Sequence, residues 1–245
     1  MASSDEAGSN KIKAALFDFM GTCLDWCSAV TTGLPLEIPE ERRRDFALKW
    51  RVAYFYENER RLQAGLATED IDHTLMRTLD SMLQLPEYAS LASHISARDI
   101  KLRAVASWHN QKAWPDVAGA LQQLRDQLGC EVFVHANGTT RLQLDLIRSS
   151  GLRFDLLMSS QMLGQIKPAQ EPYLKALDLL KRKPEECVMI AAHAYDVRGA
   201  RDVGMRTIYI KRATDDIHED LSNIDKEFDA VLDDMYGLAE AVRKL

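Results

Sequence analysis

Ala14-Ala15-Leu16-Phe17-Asp18-Phe19-Met20-Gly21-Thr22 is the stretch from which the rest of the chain can be read. An apolar run ends on one acid, and a glycine and a threonine follow within four positions. The run predicts a short buried strand that stops at Asp18, with a sharp backbone turn at Gly21. A carboxylate fixed there can hold a metal, attack a substrate, or cap the turn through its own side chain. The stretch by itself leaves all three open.

Further along, strand-like runs recur at Val132-Phe133-Val134, Leu156-Leu157-Met158, Val188-Met189-Ile190, Thr207–Ile210 and Ala230–Leu232. Helical patterns lie between them. Val117, Leu121, Leu124 and Leu128 form a stripe closed by Gly129. Thr139 or Thr140 caps a helix carrying Leu142 and Leu146 that stops at Gly151, and Pro172 is expected as the first residue of a helix through Leu180. Strands alternating with helices imply crossover connections and a parallel sheet. From about Pro39 to Ser107 the pattern is different. Phe46, Trp50 and Tyr54 recur every four residues on one helix face, and Thr68 is placed to cap a second helix bearing Ile71, Leu75, Leu79 and Leu83. The expectation is therefore an α/β protein with a doubly wound parallel-sheet core over residues 11–27 and 110–245. A helical cap interrupts the core at 28–109, and residues 1–10 form a polar, disordered tail.

The chain has 245 residues, enough for a sizeable core, and its formal charge of −6 gives no footprint for nucleic acid or an anionic membrane. An anionic substrate would need a local cationic pocket. No run reaches the ~18 to 20 apolar residues of a membrane span. The four cysteines, Cys23, Cys27, Cys130 and Cys187, form no CxxC pair and no zinc-type cluster, which fits reduced thiols in the cytoplasm.

In an open parallel sheet, ligands bind beyond the carboxyl ends of the strands. That rule selects Asp18, His135-Ala136-Asn137-Gly138, Ser159-Ser160 with the nearby Lys167-Pro168, and Ala191-Ala192-His193-Ala194-Tyr195-Asp196. Each has an ordinary structural explanation; their convergence on one edge points to a site. Taken in order, Asp18 with Gly21-Thr22, Asn137-Gly138, Lys167-Pro168 and Asp196 resemble the four motifs of the haloacid dehalogenase superfamily. The resemblance spans residues 12 to about 235. It implies a Rossmann-like core with an inserted cap and a nucleophilic first aspartate.

Most members of that superfamily are magnesium-dependent phosphotransferases with a second aspartate two residues after the first. Here that position is Met20, and Ala191-Ala192 precede His193 where acids are usual. Methionine and alanine offer Mg²⁺ no side-chain oxygen, so no cofactor and no metal are expected. The chain is instead similar to the metal-independent type II L-2-haloacid dehalogenases. Trp50-Arg51 matches their tryptophan–arginine pair, whose arginine receives the leaving group, and Tyr173 matches their active-site tyrosine. Ala136 and Ala191 replace two serines of that pattern, and His193 stands where asparagine is usual. His193 and Asp196, as His-x-x-Asp, resemble the cis-epoxysuccinate hydrolases of the same fold.

The resulting expectation is covalent hydrolysis of a small carboxylic acid: 2-haloacid dehalogenation first, epoxide opening as the alternative. A Mg-dependent phosphatase or a non-catalytic binding protein follows further behind. Asp18 attacks carbon to give an aspartyl ester, and Lys167 keeps it ionised. His193 or Asp196 activates the water. Thr22, Arg51, Tyr54, Asn137 and Tyr173 are expected to hold the substrate. Relatives of this kind are often dimers, so a homodimer is the expected assembly.

Overall fold

The computed structural model describes residues 11–67 and 69–245. The expected tail at 1–10 and the expected cap residue Thr68 lie outside the described residues. The chain divides into two compact units: among the described residues one comprises 11–23, Ala113–Thr140 and Leu152–Leu245, and the other Leu24–Lys112 and Arg141–Gly151.

The first unit is built on six parallel strands: β1 (Ala14–Phe17), β2 (Glu131–Ala136), β3 (Leu156–Ser159), β4 (Cys187–Ala191), β5 (Arg206–Ile210) and β6 (Ala230–Leu232). Their order is β3-β2-β1-β4-β5-β6. The runs singled out in the sequence are these strands. Every residue of β1 and β4 is buried, as two-sided burial between helices requires of a central parallel strand. Each such Leu, Ile, Val, Met or Phe contributes roughly 1.5–3 kcal/mol. In register, Phe17 pairs with Val134 on one side and Ile190 on the other. The chain builds outward from β1 in one direction and from β4 in the other. The topological switch point therefore falls between β1 and β4, the place where such sheets open a crevice.

The helix Val117–Leu128 buries Val117, Ala120, Leu121 and Leu124 and ends at Gly129. One boundary moves: the helix expected to begin at Pro172 runs Gln170–Leu180. Proline is tolerated two residues inside because the first four helical N–H groups have no intrahelical acceptor.

The second unit is helical, with Trp26–Gly33, Glu40–Gln63, Ile71–Leu83, Ala89–Ile95 and Arg98–Ala106. Phe46, Trp50, Leu75, Leu79 and Trp108 are fully buried, so the four-residue spacing read in the sequence is the face that makes this core. Asp70 caps Ile71–Leu83 by accepting from Asp72 N–H at 3.1 Å. The helix Trp26–Gly33 has no counterpart in the sequence reading. Residues 24–27 and 141–151, and with them 110–112, all expected in the core, are grouped with these helices. A physical link for the second segment is His109, whose ring joins Asp72 to Asp145. No helix among the described residues is long and apolar enough to cross a membrane.

Candidate active site

Asp18 extends the β1–β4 ladder by one step, its N–H donating to Ile190 O at 3.0 Å, and the chain then leaves the sheet. Gly21 makes the turn at φ +90°. A Cβ there would lie 2.4 Å from Asp215 Oδ1, so glycine is required both by conformation and by space. The turn returns Thr22 to the strand end. Its hydroxyl donates to Asp18 Oδ2 at 2.8 Å and accepts from Ala192 N–H at 2.8 Å, tying the ends of β1 and β4 together. Outside this layer, Trp114 Nε1 donates to Gly21 O at 2.9 Å and Arg212 Nε to Thr22 O at 3.1 Å. Arg212 is itself held by both oxygens of Asp116 at 2.9 and 3.0 Å.

Lys167 reaches the same carboxylate from the loop after β3. Its Nζ donates to Asp18 Oδ1 at 3.1 Å, to His135 O at 2.6 Å, and to Asp196 Oδ2. The loop is strapped in place by Asn137, whose amide accepts from Lys167 N–H at 2.8 Å and donates to Lys167 O at 3.0 Å. Asn137 thus holds the backbone of Lys167. The sequence reading had assigned that amide to the substrate. Tyr173 donates to Asp196 Oδ1 at 2.6 Å and packs against Gly199, where a Cβ would come within 2.7 Å of the phenol oxygen. Tyr173 is therefore a support for Asp196, one layer behind Asp18.

His193 stands at the end of β4 with Nδ1 3.1 Å from Asp18 Oδ2 and Nε2 3.2 Å from Asp215 Oδ1. The second carboxylate beside this ring is Asp215, on the loop after β5. The same strand-end rule that picked His193 applies after Ile210, and would have pointed to Thr214-Asp215-Asp216. Asp216 completes the support: Oδ2 accepts from Ala194 N–H at 2.6 Å and from the Tyr209 hydroxyl at 3.2 Å.

Asp18, Lys167, His193 and Asp196 are all buried, so their charges are set by one another. Burial works against ionising Asp18, but Lys167, His193 and Thr22 outweigh it and hold the carboxyl far below the usual carboxylate range. Burial likewise opposes the Lys167 charge, and the two carboxylates overcome it and raise its pKa. His193 is pushed up to about 10, burial being overcome by its bonds to Asp18 and Asp215. It rests as an imidazolium, hence as a proton donor; service as a base requires that proton to leave first. Burial raises Asp196, with Lys167 opposing.

The residues present do not fit a divalent cation. The Lys167 ammonium lies between Asp18 and Asp196, and Met20 occupies the position of a second acid. Among the described residues no group of three or more His, Cys, Asp or Glu is arranged to hold a metal.

Arg51 and Tyr54 belong to the helical unit. The Arg51 guanidinium lies 4.5 Å from the centroid of Phe55, 5.3 Å from Trp26, 5.7 Å from Trp108 and 5.9 Å from Tyr54. Trp50 anchors the helix beneath it, donating to Thr78 Oγ1 at 3.0 Å and Leu75 O at 3.2 Å.

A family model described as haloacid dehalogenase-like hydrolase matches residues 12–204. The chain belongs to that family. As a haloacid dehalogenase-like hydrolase it is 27% identical over 216 residues to (S)-2-haloacid dehalogenase 1 of Pseudomonas sp. (strain CBS-3), an alignment covering 82% of this chain and 85% of that one. The fold is shared with the L-2-haloacid dehalogenase PA0810, at a TM-score of 0.80 and 24% identity, covering 96% of this chain and all of the other. It is also shared with the L-2-haloacid dehalogenase of Xanthobacter autotrophicus solved with chloropropionic acid covalently bound. That comparison has a TM-score of 0.75 and 19% identity, and covers 96% and 99% of the two chains.

Proposed function

We propose that this hydrolase cleaves a carbon–halogen bond of a small 2-haloacid through an ester on Asp18. The observation that carries the reading is a buried carboxylate kept ionised by an ammonium, an imidazolium and a hydroxyl. Asp18 Oδ2 accepts from both Thr22 and His193, while Oδ1 accepts only from Lys167, among the hydrogen bonds described. Oδ1 is the freer oxygen and the better nucleophile. It forms the bond to carbon as halide departs with the bonding pair. His193, no longer facing a charged Asp18, releases its proton to solvent and accepts one from the water that attacks Asp18 Cγ. Thr22 remains as a donor to the oxyanion that forms on Oδ2 while Lys167 faces the ester oxygen Oδ1; the bond from Oδ1 to Cγ then breaks, and the alcohol leaves with the second proton of water. The relatives named as 2-haloacid dehalogenases support the choice of substrate.

One observation favours a second reading, epoxide opening. A ring oxygen leaves as a poor alkoxide and needs a proton, which halide does not, and the resting imidazolium of His193 is such a donor. The proton lost to the alkoxide leaves His193 neutral for the water step without any exchange with solvent.

A single turnover in ¹⁸O-labelled water tests the ester. The label is expected in the peptide containing Asp18 and not in the product; label passing directly to product rules the ester out. A panel of 2-haloacids and small epoxy acids, scored for halide and diol, separates the two substrates.

A further inference from the structure

Asp215 has no place in the mechanism so far, yet it is among the most constrained acids in the protein. Its side chain is 1% exposed and its Oδ2 accepts from Thr214 Oγ1 at 2.9 Å. Oδ1 faces His193 Nε2, and the whole carboxylate lies over Gly21, where any side chain would displace it. The Gly21 turn is thus shaped to admit Asp215 as well as to reverse the chain.

The chemistry follows from donor counting. Neutral imidazole carries one N–H, and here both ring nitrogens face carboxylate oxygens within 3.2 Å. Only the doubly protonated ring puts a proton opposite both, as a hydrogen bond at Nδ1 and an ion-pair approach at Nε2. The charged and titratable groups around the ring are Asp18 from the β1 end, with Lys167 beyond it, Asp215 and Asp216 from the loop after β5, and the Tyr195 ring at 5.6 Å. When Asp18 becomes an ester its charge is lost, and Asp215 remains as the carboxylate facing Nε2.

We propose that Asp215 is a positioning residue that holds His193 doubly protonated and aimed at Asp18, so that the site favours leaving groups that need a proton. The second half of this statement rests on the ester mechanism above. In epoxide opening, the Asp18 oxygen–carbon bond forms, the ring carbon–oxygen bond breaks, and the new alkoxide takes the His193 proton. Water then adds to Asp18 Cγ, returns one proton to His193 and gives the other to the departing alcohol. In dehalogenation the same His193 must first give its proton to solvent.

The test is a titration of the full chain carrying ¹⁵N-histidine, following the His193 ring nitrogens from pH 5 to 10. Both nitrogens of the unmodified protein are expected to stay protonated through pH 8. In Asp215→Asn the midpoint is expected to fall by at least one pH unit, a tenfold change in proton affinity. An unchanged midpoint overturns the proposal. Should Asp215→Asn fail to fold, Asp18→Asn decides: with Asp215 alone facing the ring, His193 should still titrate above the ordinary value of about 6.5, and a midpoint at or below it overturns the proposal. On substrates, Asp215→Asn should lose at least tenfold more epoxide opening than dehalogenation, and equal losses sink the leaving-group preference. If no substrate labels Asp18, the ester reading falls, and the titration still decides what Asp215 does.

Discussion

Two buried charges are held in opposite ways. In the α/β unit, Asp18 is surrounded by donors: a hydroxyl, an ammonium and an imidazolium, each fixed by a further partner. In the helical unit, the guanidinium of Arg51 is surrounded by four aromatic rings. A hydrogen-bonded charge network fixes direction and protonation state, which suits an atom that must attack along one line. Aromatic faces attract a cation through the ring quadrupole and pack against the plane of a guanidinium. The first arrangement suits bond making; the second holds a cation by packing.

Removing the ammonium is the most severe way to break the first arrangement. Lys167→Met leaves Asp18 and Asp196 buried without the cation between them. Stripping one partner from a buried ion pair costs about 3–5 kcal/mol. Turnover should fall ~10²–10³-fold, of the order seen when a group stabilising charge in the transition state is lost. Asp18 should also become easier to protonate, so residual activity should decline on acidification at a higher pH than in the unmodified protein. Steady-state rates between pH 4 and 8 check both. A loss below tenfold would mean that the network around Asp18 is structural and does not serve the reaction.

Arg51→Lys sharpens the other half. It keeps the charge and removes the planar ion that stacks on the rings. With several faces involved, about 1–2 kcal/mol of stability should be lost, read as a shift in urea midpoint. If the anion role implied by the family resemblance holds, KM for a carboxylate substrate should rise about tenfold, with a smaller change in kcat, since the lysine retains the charge and loses the bidentate geometry. Unchanged KM with lowered stability would confine Arg51 to packing.

The two regions were unequally legible in the sequence. Strands buried on both faces leave uninterrupted apolar runs, so all six strands of the sheet and the strand-end position of Asp18 could be read directly. The face carrying Phe46 and Trp50 could be read from its spacing, and both are fully buried. Partnership between distant polar side chains leaves no periodic trace. The motif spacing named Asn137 and Asp196, but not that Asn137 would clasp the Lys167 backbone, nor that Asp196 would turn to Tyr173 and leave His193 to Asp215. Nor is there a local signal for the grouping of 141–151 with the helices, because the residues that make it, Asp72, His109 and Asp145, are far apart in the chain.

That last group provides the mildest test, because it is the helical unit's own version of a charge network. His109 Nε2 lies 2.8 Å from Asp72 Oδ1 and Nδ1 lies 3.1 Å from Asp145 Oδ2, while Arg141 holds the same Asp145. As at His193, only the imidazolium puts a proton opposite both. The bond to Asp72 is the main cause of a raised His109 pKa, with burial opposing and Asp145 adding to it. A histidine whose pKa is raised on folding contributes stability that is fully present below its unfolded value near 6.5 and is lost as pH climbs through the folded value. Asp72 is 47% exposed, so solvent screening limits the contribution to about 1 kcal/mol or less. His109→Gln should therefore destabilise the protein more at pH 5.5 than at pH 9 in urea titrations. Comparing variant with parent at each pH removes the titration of every other group. A pH-independent difference would mean that the ring is held neutral, with one nitrogen facing a carboxylate it cannot donate to.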